Sequence, residues 1–243
     1  MKFRVEKKLL GEALKYASVG GTKPVISTAK IIADNSGVVV TGVNEGATIL
    51  SGVWLRPKQE LCEVIDKGAV VVDLTELIKE VPKLKSETIT VYNTEKSLVI
   101  EGSKERLEKE VLVDEVSMPL EFTSDGKAIV LKDKEFESVA EGLLTEFDEL
   151  PIETPTVILK ANDGKIQLVA QDQISKYERT FDGGKVKGEV ELWLDFDYFN
   201  LIARNLKKSD LVDIYFNEIV MLAKGTREWG EQAYMLVGKE KEF

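Results

Sequence analysis

Acidic side chains are the most abundant groups in this sequence that could carry out chemistry, and no histidine accompanies them. The lack of histidine removes imidazole-based zinc sites and every catalytic triad whose base is imidazole. Neighbouring carboxylates, such as Asp133 with Glu135 or Asp148 with Glu149, could act as acid/base pairs or bind a metal for hydrolysis. With 43 Asp and Glu residues in the chain, such neighbours also arise by chance. A carboxylate-dependent, metal-dependent hydrolase therefore stays an open alternative, and no cofactor is predicted.

Glycine, cysteine and apolar residues narrow the function classes further. Gly20–Gly21 and Gly183–Gly184 lack the spacing of phosphate-binding loops. The single cysteine, Cys62, cannot form a disulfide within one chain, which fits a reducing compartment. There is no apolar run of about 18 residues and no export leader, so we expect a cytoplasmic protein with no membrane contact.

Basic residues recur opposite the apolar faces of three predicted helices. Cations in such positions are ordinarily solvated surface, and that interpretation stays open. The net charge of −10 means that any nucleic-acid contact would use a local basic patch, and phosphate contacts of that kind carry no sequence information. The candidate residues are Lys8 and Lys15 in the first helix, Lys79 and Lys83 in the second, and Arg204, Lys207 and Lys208 in the third.

A long repeat organises the chain around these helices. From Asp73 the sequence runs through an amphipathic segment, Leu-Lys, a serine, two strands and Gly-Ser-Lys-Glu at 102–105. From Asp195 the same order leads to Gly-Thr-Arg-Glu at 225–228. The period is longer than the roughly 20–50 residues of solenoid repeats, which indicates a duplicated domain. We predict a domain at 1–113, a connector at 114–126 and a second domain at 127–243.

The sequence pattern of each half predicts a strand, a helix, three strands, another strand, a second helix and three more strands. This order indicates an α+β class, with antiparallel sheets and two helices in each half. The first helix places Leu9, Leu10, Ala13, Leu14 and Ala17 on one face. The second begins at Asp73, with Glu76 completing a capping box, and Pro82 should shorten it. The remaining helices are predicted at 134–147, with Phe136, Val139, Ala140, Leu143 and Leu144 inward, and at 196–206.

Several strings in this order resemble the sliding clamps of the proliferating cell nuclear antigen (PCNA) type. LTELIKEVPKLKSETITVYN and YFNLIARNLKKSDLVDIYFN are similar to the second helix and following strand of each clamp domain. GVNEGATILSGVWL is similar to a first-domain strand pair, and QAYMLVG resembles the closing strand. Two features depart from the family: Val237–Gly238 stands where Ala-Pro is common, and the 134–147 segment is acidic, with Glu135, Glu137, Glu141 and Glu146.

The resemblance implies a DNA-clamp fold without catalytic chemistry. Three two-domain chains, identical or related, would close a ring around duplex DNA without regard to its sequence, and helices carrying the basic residues would line the hole. DNA polymerase, a clamp loader and other replication or repair proteins would bind the outside, in the nucleoid or in a nucleus. Edge strands near 101–113 and 176–181 would join the subunits. A clamp-like checkpoint or viral accessory protein remains an alternative.

The resemblance also implies a groove for partner peptides beside the connector. Apolar residues alternate there in a polar stretch, and methionine suits an adaptable binding surface. The alternative is that these residues only attach the connector to the sheet. The groove residues are Val43, Val116, Met118, Leu120, Leu236 and Val237.

Overall fold

A computed structural model describes residues 1–21, 23–58, 61–112, 120–122, 129–131, 138–144 and 147–240. The chain divides into two compact units. Unit 1 contains Met1–Lys132 and Glu228–Gln232, and unit 2 contains Asp133–Arg227 and Ala233–Phe243. The predicted connector at 114–126 lies outside the described residues except for 120–122. The predicted domain limits therefore stay predictions.

The described part of unit 1 contains antiparallel sheets with two α-helices. In chain order its elements are β1 Lys2–Glu6, α1 Lys7–Ala17, β2 Thr28–Asp34, β3 Gly37–Val43, β4 Ile49–Leu55, β5 Cys62–Asp66, β6 Gly68–Asp73, α2 Leu74–Glu80, a 3-10 helix Val81–Lys83, β7 Thr88–Asn93, β8 Ser97–Glu101, β9 Arg106–Glu110, β10 Leu120–Phe122 and β11 Ile129–Leu131. One sheet has the order β5-β1-β7-β8-β9, strands β4-β3-β2-β6 are neighbours in a second, and β10 pairs with β11. The predicted α+β class is confirmed.

Packing rather than capping stabilises α1. The five apolar residues predicted to face inward are all buried, with Ala13, Leu14 and Ala17 at 0% exposure. Each fully buried leucine contributes about 1.5–3 kcal/mol. Glu6 at the N-cap makes no side-chain capping bond. The face opposite the core is therefore left to Lys8 and Lys15, which are exposed.

Helices α2 (Leu74–Glu80) and α3 (Phe196–Leu206) are each capped by the aspartate that marks the repeat. Asp73 accepts a hydrogen bond from the Thr75 N–H at 2.6 Å, and Asp195 accepts one from the Tyr198 N–H at 3.1 Å. Glu76 pairs with Lys109 instead of closing a capping box. Pro82 lies in the 3-10 helix that follows α2, so the predicted shortening is confirmed.

The described part of unit 2 contains one sheet and one α-helix. Its elements are β12 Ala140–Leu144, β13 Thr156–Asn162, β14 Lys165–Gln171, β15 Lys176–Val186, β16 Val190–Asp195, α3 Phe196–Leu206, β17 Leu211–Phe216, β18 Val220–Arg227 and β19 Gly230–Val237. The strand order is β16-β13-β14-β15-β12-β17-β18-β19, and residues 230–232 of β19 belong to unit 1. The predicted helix at 196–206 is confirmed. None of the helices described in either unit has the length and hydropathy needed to cross a membrane.

The helix predicted at 134–147 is wrong where the structure describes it, because residues 140–144 form β12. Of the residues predicted to face inward, Ala140 is buried, Val139 is half-buried and Leu143 is 52% exposed. The remaining two are Phe136, which lies outside the described residues, and Leu144, of which only the backbone is described. β12 bonds to a strand on each side, which satisfies its backbone polar groups without a helix.

Strand pairing shows that β12 has the same kind of position in its sheet as β1 has in its own. β1 lies between β5 and β7, with Phe3 opposite Val91, and β12 lies between β15 and β17, with Gly142 opposite Ile214. In unit 1 the chain goes from β1 directly into α1. In unit 2 residues 147–155 lead from β12 to β13 without a helix. The described parts of the two units therefore differ, because α1 of unit 1 has no counterpart among the residues described in unit 2.

The turn motif of the repeat is structural in both copies. A Cβ atom added at Gly102 would overlap the hydroxyl of Ser86, and one added at Gly225 would overlap that of Ser209. Glycine is required at both positions because each serine follows the helix and lies against the turn.

Unit 1 is completed by residues from near the end of the chain. The Trp229 ring stacks on Tyr16 with 6.2 Å between centroids, and the Trp229 carbonyl accepts the Arg56 N–H at 2.9 Å. Glu231, 6% exposed, lies 3.4 Å from the Arg56 guanidinium. Arg56, which directly follows β4, is thereby bonded to a segment that lies more than half of the sequence further along the chain.

Candidate nucleic-acid interface

Unit 1 brings four of the predicted cations onto neighbouring elements. Lys8 and Lys15 are exposed on α1, Lys79 is exposed in the last turn of α2, and Lys83 is exposed at the end of the 3-10 helix. α1 packs against both α2 and the 3-10 helix. None of the four makes an ion pair with any residue that the structure describes. These ammonium groups are therefore available to a phosphate backbone.

Unit 2 places the other three cations at the end of α3. Arg204 lies in its last turn, Lys207 is its C-cap residue, and Lys208 follows. All three are exposed. Cations in the last turn also interact favourably with the negative end of the helix dipole, so this position is stabilising without any ligand.

Two of these three cations are already paired with carboxylates. The Arg204 guanidinium donates to Glu149 Oε1 from Nε at 2.9 Å and from Nη2 at 2.6 Å, and Lys207 Nζ lies 3.1 Å from Asp148 Oδ1. The four side chains are 36–62% exposed. Exposed pairs of this kind contribute about 0.2–1 kcal/mol each, so they are weak enough to be exchanged.

The segment that carries these carboxylates is attached to α3 by uncharged contacts. The Phe147 ring, 5% exposed, meets the Phe199 ring edge-on with 5.4 Å between centroids. The Leu150 N–H donates to the Asn200 side-chain oxygen at 3.0 Å. We call residues 147–150 the acidic strap. Its carboxylates were noted in the sequence only as a candidate enzyme pair, and no sequence pattern linked them to α3.

The acidic helix face expected at 134–147 does not form where the structure describes that segment. Glu141 lies in β12, where it accepts a hydrogen bond from the Ser138 hydroxyl at 3.0 Å and lies 3.7 Å from Lys185 Nζ. Glu135, Glu137 and Glu146 lie outside the described residues, as does Asp133. Within the described ranges, no cluster of three or more His, Cys, Asp or Glu side chains could hold a metal ion.

The predicted peptide groove is described only in part. Val116 and Met118 lie outside the described residues, and Leu120 lies in β10 with only its backbone described. In unit 1 Val43 is half-buried at the end of β3. In unit 2 Leu236 is fully buried and Val237 is half-buried. Leu236 therefore presents no surface to a ligand, whereas the two valines do.

The strands predicted to join subunits each have one unpaired side in the described part of the chain. β9 is the last strand of its sheet and pairs with β8. Residues 176–181 of β15 pair with β14, whereas β12 pairs only with residues 183–186 on the other side. Lys109 in β9 donates a hydrogen bond to Glu76 of α2 and forms an ion pair with Glu80, and these two carboxylates raise the pKa of the Lys109 ammonium.

Comparison with known structures identifies the architecture as the DNA-clamp fold. One chain of the PCNA2–PCNA3 complex from Sulfolobus tokodaii is similar in structure to this chain, with a TM-score of 0.70 and 12% identity. The match covers 99% of this chain and 100% of that one. The DNA polymerase III subunit beta from Pseudomonas aeruginosa matches all of this chain, which spans 66% of that subunit, with a TM-score of 0.75 and 15% identity. No protein-family model and no curated protein matches the sequence. The chain therefore has the fold of the sliding clamps.

Proposed function

We propose that this chain is a sliding clamp that encircles duplex DNA and keeps DNA polymerase and other replication or repair enzymes at their template. The observation that carries the proposal is a clamp fold whose first unit presents four exposed cations on adjacent helical elements, with no ion-pair partner among the residues that the structure describes. Such contacts bind phosphate without reading sequence, which suits a protein that slides. The role is non-enzymatic, because a closed ring acts by raising the effective concentration of its partner.

Ring closure would use the unpaired sides of β9 and β15. Antiparallel pairing with Arg106 opposite Glu178 also places Glu108 opposite Lys176, so both cross-strand pairs are of opposite charge. Within one chain these charges already pair along their own strands, Arg106 with Glu108 at 3.2 Å and Lys176 with Glu178 at 2.8 Å. Closure would also cover two strand edges that otherwise invite aggregation.

We infer a trimer, built from this chain alone or together with related subunits. Two similar units per chain give pseudo-sixfold symmetry when three chains close. One of the similar structures is a complex of PCNA2 with PCNA3, which makes a mixed ring worth testing here.

Light scattering over a range of protein concentrations tests the assembly. We expect a trimer mass for the chain alone or in a mixture with clamp relatives from the same source. R106E should weaken assembly and E178R should restore it in the double variant. A chain that stays monomeric in every mixture would contradict the ring.

Stimulation of a DNA polymerase on a primed template tests the role itself. We expect longer products when the assembled ring is present, together with a clamp loader where one is needed. A ring that assembles and binds duplex DNA, but leaves product length unchanged with every polymerase of its source, would favour a clamp-like accessory role instead.

A further inference from the structure

We propose that Asp148 and Glu149 of the acidic strap compete with DNA phosphates for Lys207 and Arg204, and so set how strongly unit 2 holds DNA. The inference rests on the proposed clamp function. It concerns unit 2 alone, because the cations on α1, α2 and the 3-10 helix have no ion-pair partner among the described residues.

The competition is specific because carboxylate and phosphate use the same groups. A guanidinium recognises either anion through parallel N–H donors, and Arg204 already directs Nε and Nη2 at one carboxylate oxygen. A phosphate that reaches Arg204 therefore has to displace Glu149. Each phosphate contact made by α3 then replaces one anion with another. Such a contact contributes less binding free energy than a phosphate contact to an ammonium that has no ion-pair partner.

The competition persists because the carboxylates cannot drift away from α3. The buried Phe147 ring and the Leu150 N–H to Asn200 hydrogen bond fix the strap on both sides of the two acids. Attachment of this kind maintains a high local concentration of the competing anion. The exposure of both ion pairs keeps the exchange reversible.

The strap also lies where the described parts of the two units differ. In unit 1 the connection from β1 to β2 begins with α1, which carries Lys8 and Lys15. In unit 2 the described part of the connection from β12 to β13 contains the strap, which carries Asp148 and Glu149. These two connections therefore carry two exposed cations in one unit and two anions in the other. We infer that unit 1 provides most of the phosphate attraction and that unit 2 holds DNA weakly.

The test compares the assembled parent protein with D148N/E149Q in binding to a fluorescent duplex over a series of salt concentrations. Both substitutions keep side-chain size and remove only charge. We expect about tenfold tighter binding at low salt, and a slope of log affinity against log salt that is steeper by about 1–2, because each added phosphate contact contributes about 0.9. The control is D66N/E95Q, which removes two exposed acids that make no ion pair in the described structure.

A charge-removal cycle separates exchange from a general effect of net charge. R204Q/K207Q should weaken binding only slightly in the parent and about tenfold more in the D148N/E149Q background. E149Q alone should give about half of the change in the slope of log affinity against log salt. If D148N/E149Q does not fold, E149Q replaces it in the test. The competition would be contradicted if D148N/E149Q had the affinity and slope of the parent, or if its affinity rose no more than that of D66N/E95Q. Neither result would contradict the clamp proposal. Assembled parent protein that does not bind duplex DNA at any salt concentration would overturn both.

Discussion

Lys109 Nζ lies 2.7 Å from Glu76 Oε2 and 2.9 Å from Glu80 Oε2, so one ammonium joins edge strand β9 to two turns of α2. The Lys109 side chain is only 23% exposed. Removing the ammonium would leave Glu80, which is 33% exposed, without its counter-charge. The pair therefore positions the strand that we propose to join neighbouring subunits.

The first prediction concerns this contact. K109M keeps the aliphatic stem and should lower the free energy of unfolding by roughly 1 kcal/mol, because a partly buried carboxylate loses its partner. Equilibrium urea unfolding at fixed protein concentration measures the change. K104M is the matched control, since Lys104 is exposed and makes no ion pair in the part of the chain that the structure describes. Equal midpoints for the two variants would show that the Lys109 pairs contribute nothing.

The second prediction separates the two sets of cations. K79A/K83A should reduce the slope of log affinity against log salt by about 1–2, since both ammonium groups are free to meet phosphate. R204A/K207A should reduce this slope by less, because those two cations already pair with carboxylates of the strap. Ring size and thermal midpoint should stay unchanged in both. K67A/K104A controls for net charge, and a slope in K79A/K83A no different from that control would remove these lysines from the interface.

The third prediction concerns the connector. M118S/L120S should weaken binding of a clamp-interacting peptide at least tenfold, about 1.4 kcal/mol, and leave assembly intact. Calorimetry with the assembled ring measures the affinity. I65S/I174S removes two apolar side chains that are 50% and 95% exposed and that lie outside the predicted groove, so it should bind the peptide like the parent. Unchanged affinity in M118S/L120S would mean that these residues serve only to attach the connector.

The fourth prediction is a pH dependence. The backbone N–H groups of Ser86 and Lys85 donate to Glu105 Oε1 at 2.7 and 2.6 Å, and these hydrogen bonds lower the pKa of the Glu105 carboxyl. A depressed pKa stabilises the fold above the ordinary carboxyl pKa, and that contribution is lost as pH falls through the folded-state value. Urea unfolding at a series of pH values below about 5 should therefore give a shallower loss of stability for E105Q than for the parent. E95Q should follow the parent, and parallel curves for E105Q and the parent would contradict the assignment.

Local signals made much of the fold predictable. The turns at 35–37 and 162–164 join the hairpins β2–β3 and β13–β14, and Asp195 begins α3 where its pattern indicates. Strand β5 was missed because Cys62–Asp66 is short and two of its five residues are acidic. The helix predicted at 134–147 was wrong at residues 140–144, because hydrogen bonding to a strand on each side outweighed the helical spacing of the apolar residues.

The exposed position of the lysines on α1 and α2 was predictable, because helical spacing places them opposite a core face. The strap was not, because Glu149 and Arg204 are 55 positions apart and meet only through the tertiary fold. The sequence shows which charges exist, whereas their partners depend on contacts such as Phe147 on Phe199.

The return of residues 228–232 to unit 1 has a consequence for biosynthesis. Most of unit 1 is synthesised first, yet the carbonyl that bonds Arg56 and the ring that stacks on Tyr16 both belong to Trp229, which is synthesised after residues 133–227 of unit 2. Bringing such distant segments together costs loop-closure entropy, so this step should be slow relative to local hairpin formation. A nascent chain ending at residue 132 should therefore be cut by protease near β4 more readily than the full chain, and equal resistance would show that unit 1 is stable without its late segment. The unit that is synthesised first would therefore be the one whose folding is completed last.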